Sequence, residues 1–178
     1  MNATDYIQSH WYKKKVWKNL ERPKHQQRFD EIAKRVIGTC CDVGCGFGHS
    51  TNHIRARLEN KAISGIDFYE KVAENASMEF PDIQFEYVPS IDELSSSRFD
   101  VDTAICSEVI EHVEKDALLV EQLCELANKR VIITTPNKYV NDPGHLRVYT
   151  EDMLRSLTDR KMKIDSVGNF FYVVIDLA

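Results

Sequence analysis

No pair of cysteines in this 178-residue chain has Cys-x-x-Cys spacing, although five are present (Cys40, Cys41, Cys45, Cys106 and Cys124). An odd count, with four of them inside apolar stretches, reads as reduced core thiols rather than a zinc site or a disulfide scaffold. Glycine and proline are scarce at seven and five, which excludes a collagenous or low-complexity chain. No apolar run approaches the ~20 residues of a membrane helix. Residues 1–9 lack the apolar core of a signal peptide. There is no internal repeat and no linker-like tract. These absences predict one soluble, cytoplasmic domain over residues 1–178, with no membrane partner.

Charge is present in quantity but unevenly spread. Lys and Arg number 23 against 28 Asp and Glu, a formal net charge of −5. Between His10 and Arg28 there are seven basic residues and Glu21 alone, so that arm carries +6 and the rest −11. The body would repel a phosphate backbone, whereas the arm could touch one. His10, Trp11, Tyr12 and Trp17 lie among the lysines of this arm. Aromatics interleaved with basic groups can stack on bases. They can equally lay an amphipathic helix on the body with its lysines outward.

The hydrophobic period then organises the chain. Residues 4–20 and 24–37 read as helices, the second with Phe29, Ile32, Ala33, Val36 and Ile37 on one face and Gly38 as its stop. Short apolar strands follow at 39–43, 62–66, 83–88, 101–106 and 130–135. Helices or turns near 50–58, 69–77, 92–94, 115–126 and 150–160 alternate with them. This beat predicts a parallel sheet covered on both faces. Residues 163–167 and 170–177, joined by Gly168-Asn169, read as a closing hairpin that puts an antiparallel strand at one edge. In such a sheet the ligand site lies at the carboxyl ends of the strands.

The first of those ends carries Asp42-Val43-Gly44-Cys45-Gly46-Phe47-Gly48. Glycines let a backbone turn tightly and approach a ligand, and the following helix start offers free N–H groups. The spacing is G-x-G-x-G, shorter than that of dinucleotide binders. Asp42 would repel a pyrophosphate but engage an ammonium. A nicotinamide-dependent oxidoreductase would need an apolar residue at Asp42 and the longer glycine spacing. Asp67, at the tip of the second strand, is placed to accept hydrogen bonds from ribose hydroxyls. Phe68 can cover one face of an adenine. The implied ligand has an amino-acid end, a ribose and an adenine.

Together with Gly65-Ile66-Asp67, and with Phe99-Asp100 before a strand ending in Cys106-Ser107-Glu108, these motifs resemble those of class I S-adenosylmethionine-dependent methyltransferases. The resemblance runs from about Phe29 to the C-terminus. It implies an α/β, Rossmann-like fold with a mostly parallel seven-stranded sheet, an antiparallel terminal hairpin and helices on both faces. It also implies S-adenosyl-L-methionine as cofactor. Asp42, Gly44, Cys45 and Gly46 would face its methionine moiety, Asp67 its ribose, and Phe68 and Ser107 would complete the pocket. Many relatives carry an acid near the end of the third strand that bonds the adenine amino group. Here the chain has Pro89-Ser90-Ile91, so Ser90 and the backbone at Ile91 take that place.

After the fourth strand comes Ser107-Glu108-Val109-Ile110-Glu111-His112. A helical turn would put Glu108, Glu111 and His112 on one face. Three readings stay open: helix-start and packing residues, a general base at Glu111 or His112, or a divalent metal (Mg or Mn) held by Glu108, Glu111, His112 and His145. Glu-Val-Ile-Glu-His is similar to a phrase in ubiquinone-biosynthesis O-methyltransferases. It is also similar to one in enzymes that 2′-O-methylate small-RNA 3′ ends. That resemblance implies a metal holding substrate oxygens, with Glu108, Glu111, His112 and His145 on the substrate side.

The long connection 135–150 resembles the Pro-Asn…His-x-Arg-x-(Phe/Tyr)-Thr segment of the same branch. His145 lines the pocket or ties down its own turn. Arg147 reads as pairing with an acid of the body, and Thr150 as a helix cap. No Asn-Pro-Pro-Tyr tetrapeptide follows the fourth strand, so an oxygen acceptor on a small molecule is favoured over an amide or base nitrogen. Residues 1–28 are expected to form a lid, as N-terminal helices do in related enzymes. Without a large insertion to build a private pocket, the arm and the 137–147 loop hold the substrate, or a homodimer or partner subunit completes the site. Two alternatives remain: an RNA methyltransferase using Lys13–Lys15, and a non-catalytic subunit that binds the cofactor without turnover.

Overall fold

The computed structural model describes residues 18–60, 62–142 and 144–177. Most of the helix expected over residues 4–20, and the aromatic stripe of the arm, therefore lies outside the described residues; Lys18, Asn19 and Leu20 are helical. Helix α1 (Pro23–Ala33) opens on a proline, whose missing N–H costs nothing in a first turn, and it buries Phe29 and Ile32 completely. It stops four residues short of the expected end. The chain leaves the helix because Ile37 exchanges two hydrogen bonds with the Thr103 hydroxyl, at 3.0 and 2.7 Å.

Five strand-plus-helix units follow. They are β1 (Cys40–Val43) with α2 (His49–Arg55), β2 (Ile63–Asp67) with α3 (Glu70–Glu79), and β3 (Gln84–Tyr87) with a 3-10 turn (Ile91–Ser96). Then come β4 (Val101–Ser107) with a 3-10 turn (Ile110–His112) and α4 (Asp116–Leu126), and β5 (Ala127–Pro136) with α5 (Glu151–Arg155). The hairpin β6 (Met162–Val167) and β7 (Phe170–Asp176) closes the chain. Helix α5 is half its expected length. After Leu157 the Thr158 hydroxyl accepts from Arg160 N, a local bond that competes with helix continuation.

The sheet has the order β3-β2-β1-β4-β5-β7-β6. Strands β1 to β5 are parallel, and β7 pairs antiparallel with both β5 and β6. The antiparallel strand is thus internal, and β6 at the edge runs with β5. This corrects the expectation of an antiparallel edge. The apolar strand wins the inner position: Phe170, Tyr172, Val173, Val174 and Ile175 are buried, whereas β6 carries Lys163 and Ser166 into solvent.

Successive strand residues point to opposite faces and feed two cores. Cys41, Cys106, Val173 and Ile175 join Leu119 and Leu123 of α4 on one face. Cys40, Ile105, Phe170 and Tyr172 join Phe29, Ile32 and Ile54 of α1 and α2 on the other. No helix among the described residues is long and apolar enough to cross a membrane. The strand order reverses between β1 and β4, so the carboxyl ends of β2, β1, β4 and β5 frame one crevice.

Candidate functional site

The crevice begins at the glycine loop. After Val43 the backbone passes through Gly44 (φ 76°), Gly46 (φ 56°) and Gly48 (φ 79°) into α2. Two of these glycines serve different ends. A Cβ on Gly44 would come within 2.4 Å of Val109, so its absence lets the loops after β1 and β4 touch. Among the described residues, a Cβ on Gly46 would meet nothing within 4 Å. A backbone that must approach a ligand needs that space.

Two buried carboxylates bracket the loop. Asp42 is 1% exposed, and its Oδ2 accepts from the hydroxyls of Thr51 (2.7 Å) and Ser50 (3.4 Å) in the first turn of α2. Asp67 accepts from Gly46 N through Oδ2 (2.8 Å) and from Tyr69 N through Oδ1 (3.0 Å). Burial pushes Asp42 up to about 6, although Thr51, Ser50 and the charge of Arg28 pull the other way. Burial likewise pushes Asp67 up to about 6, against the N–H groups of Gly46, Tyr69 and Phe68. A cation or a set of hydroxyl donors arriving here would relieve that cost.

The other expected cofactor residues sit around this loop with unequal access. Phe68 and Ile91 are half-buried against the main core. Ser90 donates to Glu93 Oε1 (3.1 Å), and Ser107 shares a hydrogen bond with the Thr134 hydroxyl (2.9 Å). Cys45 packs its thiol among Ala76, Ile83 and Phe85. Only its backbone remains for a ligand, because the strained glycine turns rotate its side chain into the core.

Glu108, Glu111 and His112 do not share a helical face. Glu108 adopts a left-handed conformation (φ 61°), and the turn that follows is a single 3-10 turn, so the three residues do not line up along one helix. Glu108 Oε2 lies 3.1 Å from Nη1 of Arg28, whose side chain is 4% exposed against 24% for Glu108. Glu111 is wholly buried and accepts from the Thr135 hydroxyl at 3.1 Å. Burial raises both carboxyls above the usual range, Glu111 also through the adjacent charge of Glu108, while Arg28 draws Glu108 down. Among the described residues, Nε of Arg28 and Oε1 of both glutamates have no hydrogen-bond partner, and Nη1 has only its ion pair with Glu108. Arg28 is a candidate site residue that the sequence hides: it reads there as one more charge of the basic arm. Its only local signal is a position one residue before the buried Phe29.

His112 turns outward to the loop after β5. Its Nδ1 lies 2.9 Å from the Gly144 carbonyl, and its ring stands edge-on to His145 with centroids 4.6 Å apart. A carbonyl can only accept, so Nδ1 carries a hydrogen, and in the neutral ring Nε2 then holds the lone pair. Burial first, then the neighbouring His112, holds His145 below its ordinary value. One ligand atom from each of Glu111, His112 and His145 falls within 4.8 Å of the others. Glu108 is outside that group, held instead by Arg28. A separate depression of about 570 Å³, lined by Asp30, Lys34, Arg57 and Asn60, lies at the opposite ends of the strands, away from these groups.

Comparison with known proteins places these features in context. The sequence family described as "Methyltransferase domain" matches residues 41–132, just over half of the chain. A ubiquinone biosynthesis O-methyltransferase of Neisseria meningitidis serogroup A is 30% identical over 133 residues, covering 71% of this chain and 54% of that protein. The chain thus spans about half the length of the curated relatives it matches. Among solved structures, a SAM-dependent methyltransferase from Aquifex aeolicus superposes with a TM-score of 0.70 at 15% identity, covering all of both chains. Magnesium protoporphyrin IX methyltransferase from Synechocystis PCC 6803 with bound SAH superposes with 0.69 at 17%, covering 99% of this chain and 98% of that one. At such identities these two structures speak for the fold.

Proposed function

Because the chain belongs to the methyltransferase domain family, we propose that it binds S-adenosylmethionine beside the glycine loop and methylates a hydroxyl oxygen of a small-molecule acceptor. The observation that carries this reading is the Gly46 backbone, where an added Cβ would meet none of the described residues, bracketed by two buried carboxylates, with the charge of the buried Arg28 acting on Asp42. An amino-acid end brings an ammonium for Asp42 and a carboxylate for Arg28, and a ribose brings hydroxyls for Asp67. No dinucleotide offers that combination of charges.

When bound, the cofactor supplies an electrophilic methyl group on a sulfonium. The protein's part is alignment and the exclusion of water. The loops after β4 and β5 hold the acceptor hydroxyl on the side of His112 and His145. Nε2 of His112 takes the hydroxyl proton as oxygen gains the methyl group, which leaves S-adenosylhomocysteine and a methyl ether. The convergence of Glu111, His112 and His145 favours a second reading of the same site, in which those three groups would hold Mg²⁺ or Mn²⁺, which would supply a Lewis acid for an acceptor oxygen. A small molecule suits this acidic body better than RNA, and a cytoplasmic location, with the arm of residues 1–28 acting as a lid, belongs to the same proposal.

The test is incubation with isotopically labelled S-adenosylmethionine and a panel of phenols, catechols, carboxylic acids, amines and short RNAs, followed by mass spectrometry. The expected result is one labelled methyl ether, lost in His112→Ala. Turnover abolished by a chelator and restored by Mn²⁺ would select the metal reading. Methylation of RNA alone, weakening steeply with salt, would overturn the small-molecule assignment.

A further inference from the structure

The proposed base works only if His112 keeps its hydrogen on Nδ1, and that depends on the position of the Gly144 carbonyl. Gly144 belongs to a connection without regular structure among the described residues of 137–149, whose Lys138, Tyr139 and Val140 are exposed. Something must hold the carbonyl in place. A glycine is needed there, since a Cβ would stand 2.9 Å from Nδ1 of His112. Immediately after it the chain is laced to the segment following β4. Leu146 N donates to Glu111 O at 2.8 Å. Arg147 Nη1 pairs with Asp116 Oδ2, and its Nη2 reaches Glu114 O at 3.4 Å. The hydroxyl of Tyr149, a residue 2% exposed, lies 2.9 Å from the same Asp116 oxygen and 3.3 Å from Ile110 O. Asp116 is itself fixed, because its Oδ1 accepts from Ala117 N at 2.9 Å in the first turn of α4.

We infer that Asp116, Arg147 and Tyr149 are positioning residues for the methyl transfer, forming a clamp that presents the Gly144 carbonyl to His112 and so sets the tautomer and direction of its imidazole. The inference rests on the reading of His112 as base. One carboxylate gathers a guanidinium and a phenol from the loop after β5 while standing at the start of the helix after β4. The two loops that carry His145 and His112 therefore cannot separate without breaking it. Salt bridges at the surface contribute little, but Arg147 and Asp116 are each about four-fifths covered, and the bonded oxygen is shared with a buried phenol. None of the three needs to touch acceptor or cofactor.

The experiment is ¹⁵N NMR of histidine-labelled full-length protein, with chelator present and at a pH where the ring is neutral. The ring nitrogens then report which tautomer His112 adopts. Wild type is expected to show the Nδ1–H form. Arg147→Ala should shift His112 to a mixture dominated by Nε2–H and lose the ring-to-ring NOE to His145. Arg147→Lys should restore part of both signals. Tyr149→Phe, which removes one hydroxyl, gives a milder variant should Arg147→Ala unfold. Titration with S-adenosylhomocysteine should show unchanged affinity in all variants. An Nε2–H tautomer in wild type, or an unchanged His112 spectrum in folded Arg147→Ala or Tyr149→Phe, would overturn the inference. Failure of the methyltransferase reading would show separately, as absence of any binding in the titration.

Discussion

Arg28 tests at the scale of one residue whether a buried ion pair serves the fold, the ligand or both. Removing one partner of a buried pair leaves the other charge stranded, which costs about 3–5 kcal/mol in full burial. Glu108 keeps a quarter of its exposure, so Arg28→Ala should cost about 2 kcal/mol of stability, read from denaturant unfolding. Adding Glu108→Gln should recover most of that loss. Affinity for S-adenosylhomocysteine should stay at least about tenfold weaker in both variants, since the ligand carboxylate has lost its charge-assisted partner. Recovery of binding together with stability would make Arg28 purely structural. Asp42 and Asp67 give a second prediction. Their carboxyls sit near 6 in the fold against 3.8 in model peptides. A group raised in this way favours the folded state while protonated. That contribution is complete below pH 4 and disappears as pH rises through 6, so the unliganded protein should lose stability between about pH 4 and pH 6. The ligand's ammonium and hydroxyls select the ionised carboxylates, and the affinity trend is opposite. Binding at pH 5 should be about tenfold weaker than at pH 7 for one group titrating near 6, measurable by calorimetry at the two pH values.

Among the elements, the glycine loop separates packing from binding within three residues. Gly44→Ala meets both a left-handed backbone and Val109 at 2.4 Å. It should destabilise by about 2–4 kcal/mol, the sum of strain and overpacking. Gly46→Ala meets the backbone penalty alone, about 1–2 kcal/mol, yet its new methyl projects into the space a ligand needs. It should remain folded by circular dichroism and lose at least about tenfold in S-adenosylhomocysteine affinity. Retained binding would put the ligand elsewhere. This loop was legible in advance because its chemistry is local: strand, glycines and helix are adjacent in the chain. The alternation of strands and helices was legible for the same reason, through the period of their apolar residues. The arrangement of Glu108, Glu111 and His112 was not. It turns on the left-handed backbone of Glu108, whose N–H donates to Thr134 O on the neighbouring strand. Only the folded sheet brings that acceptor within reach.

At the scale of the whole molecule, the site is assembled from parts far apart in sequence. Arg28 and Glu108 are eighty residues apart, and their pairing depends on α1 lying across the β1–β4–β7 face. No periodicity announces such a contact, and a basic run disguises it. The order of the hairpin strands was hidden in the same way, since turn chemistry specifies that β6 and β7 pair but not which of them meets β5. Burial decides that, and it places the more apolar strand inside. The reversal of strand order at β1 and β4 then opens the crevice where both carboxylates, the glycine loop and the two histidine-bearing loops converge. We propose that this crevice is built for S-adenosylmethionine. The most direct test is calorimetric titration of the purified protein with S-adenosylmethionine and S-adenosylhomocysteine, with NADH as control. Both sulfur ligands should bind at micromolar concentration, binding should be lost in Asp67→Ala, and NADH should not bind. Absence of binding by either sulfur ligand to the folded protein would contradict this proposal.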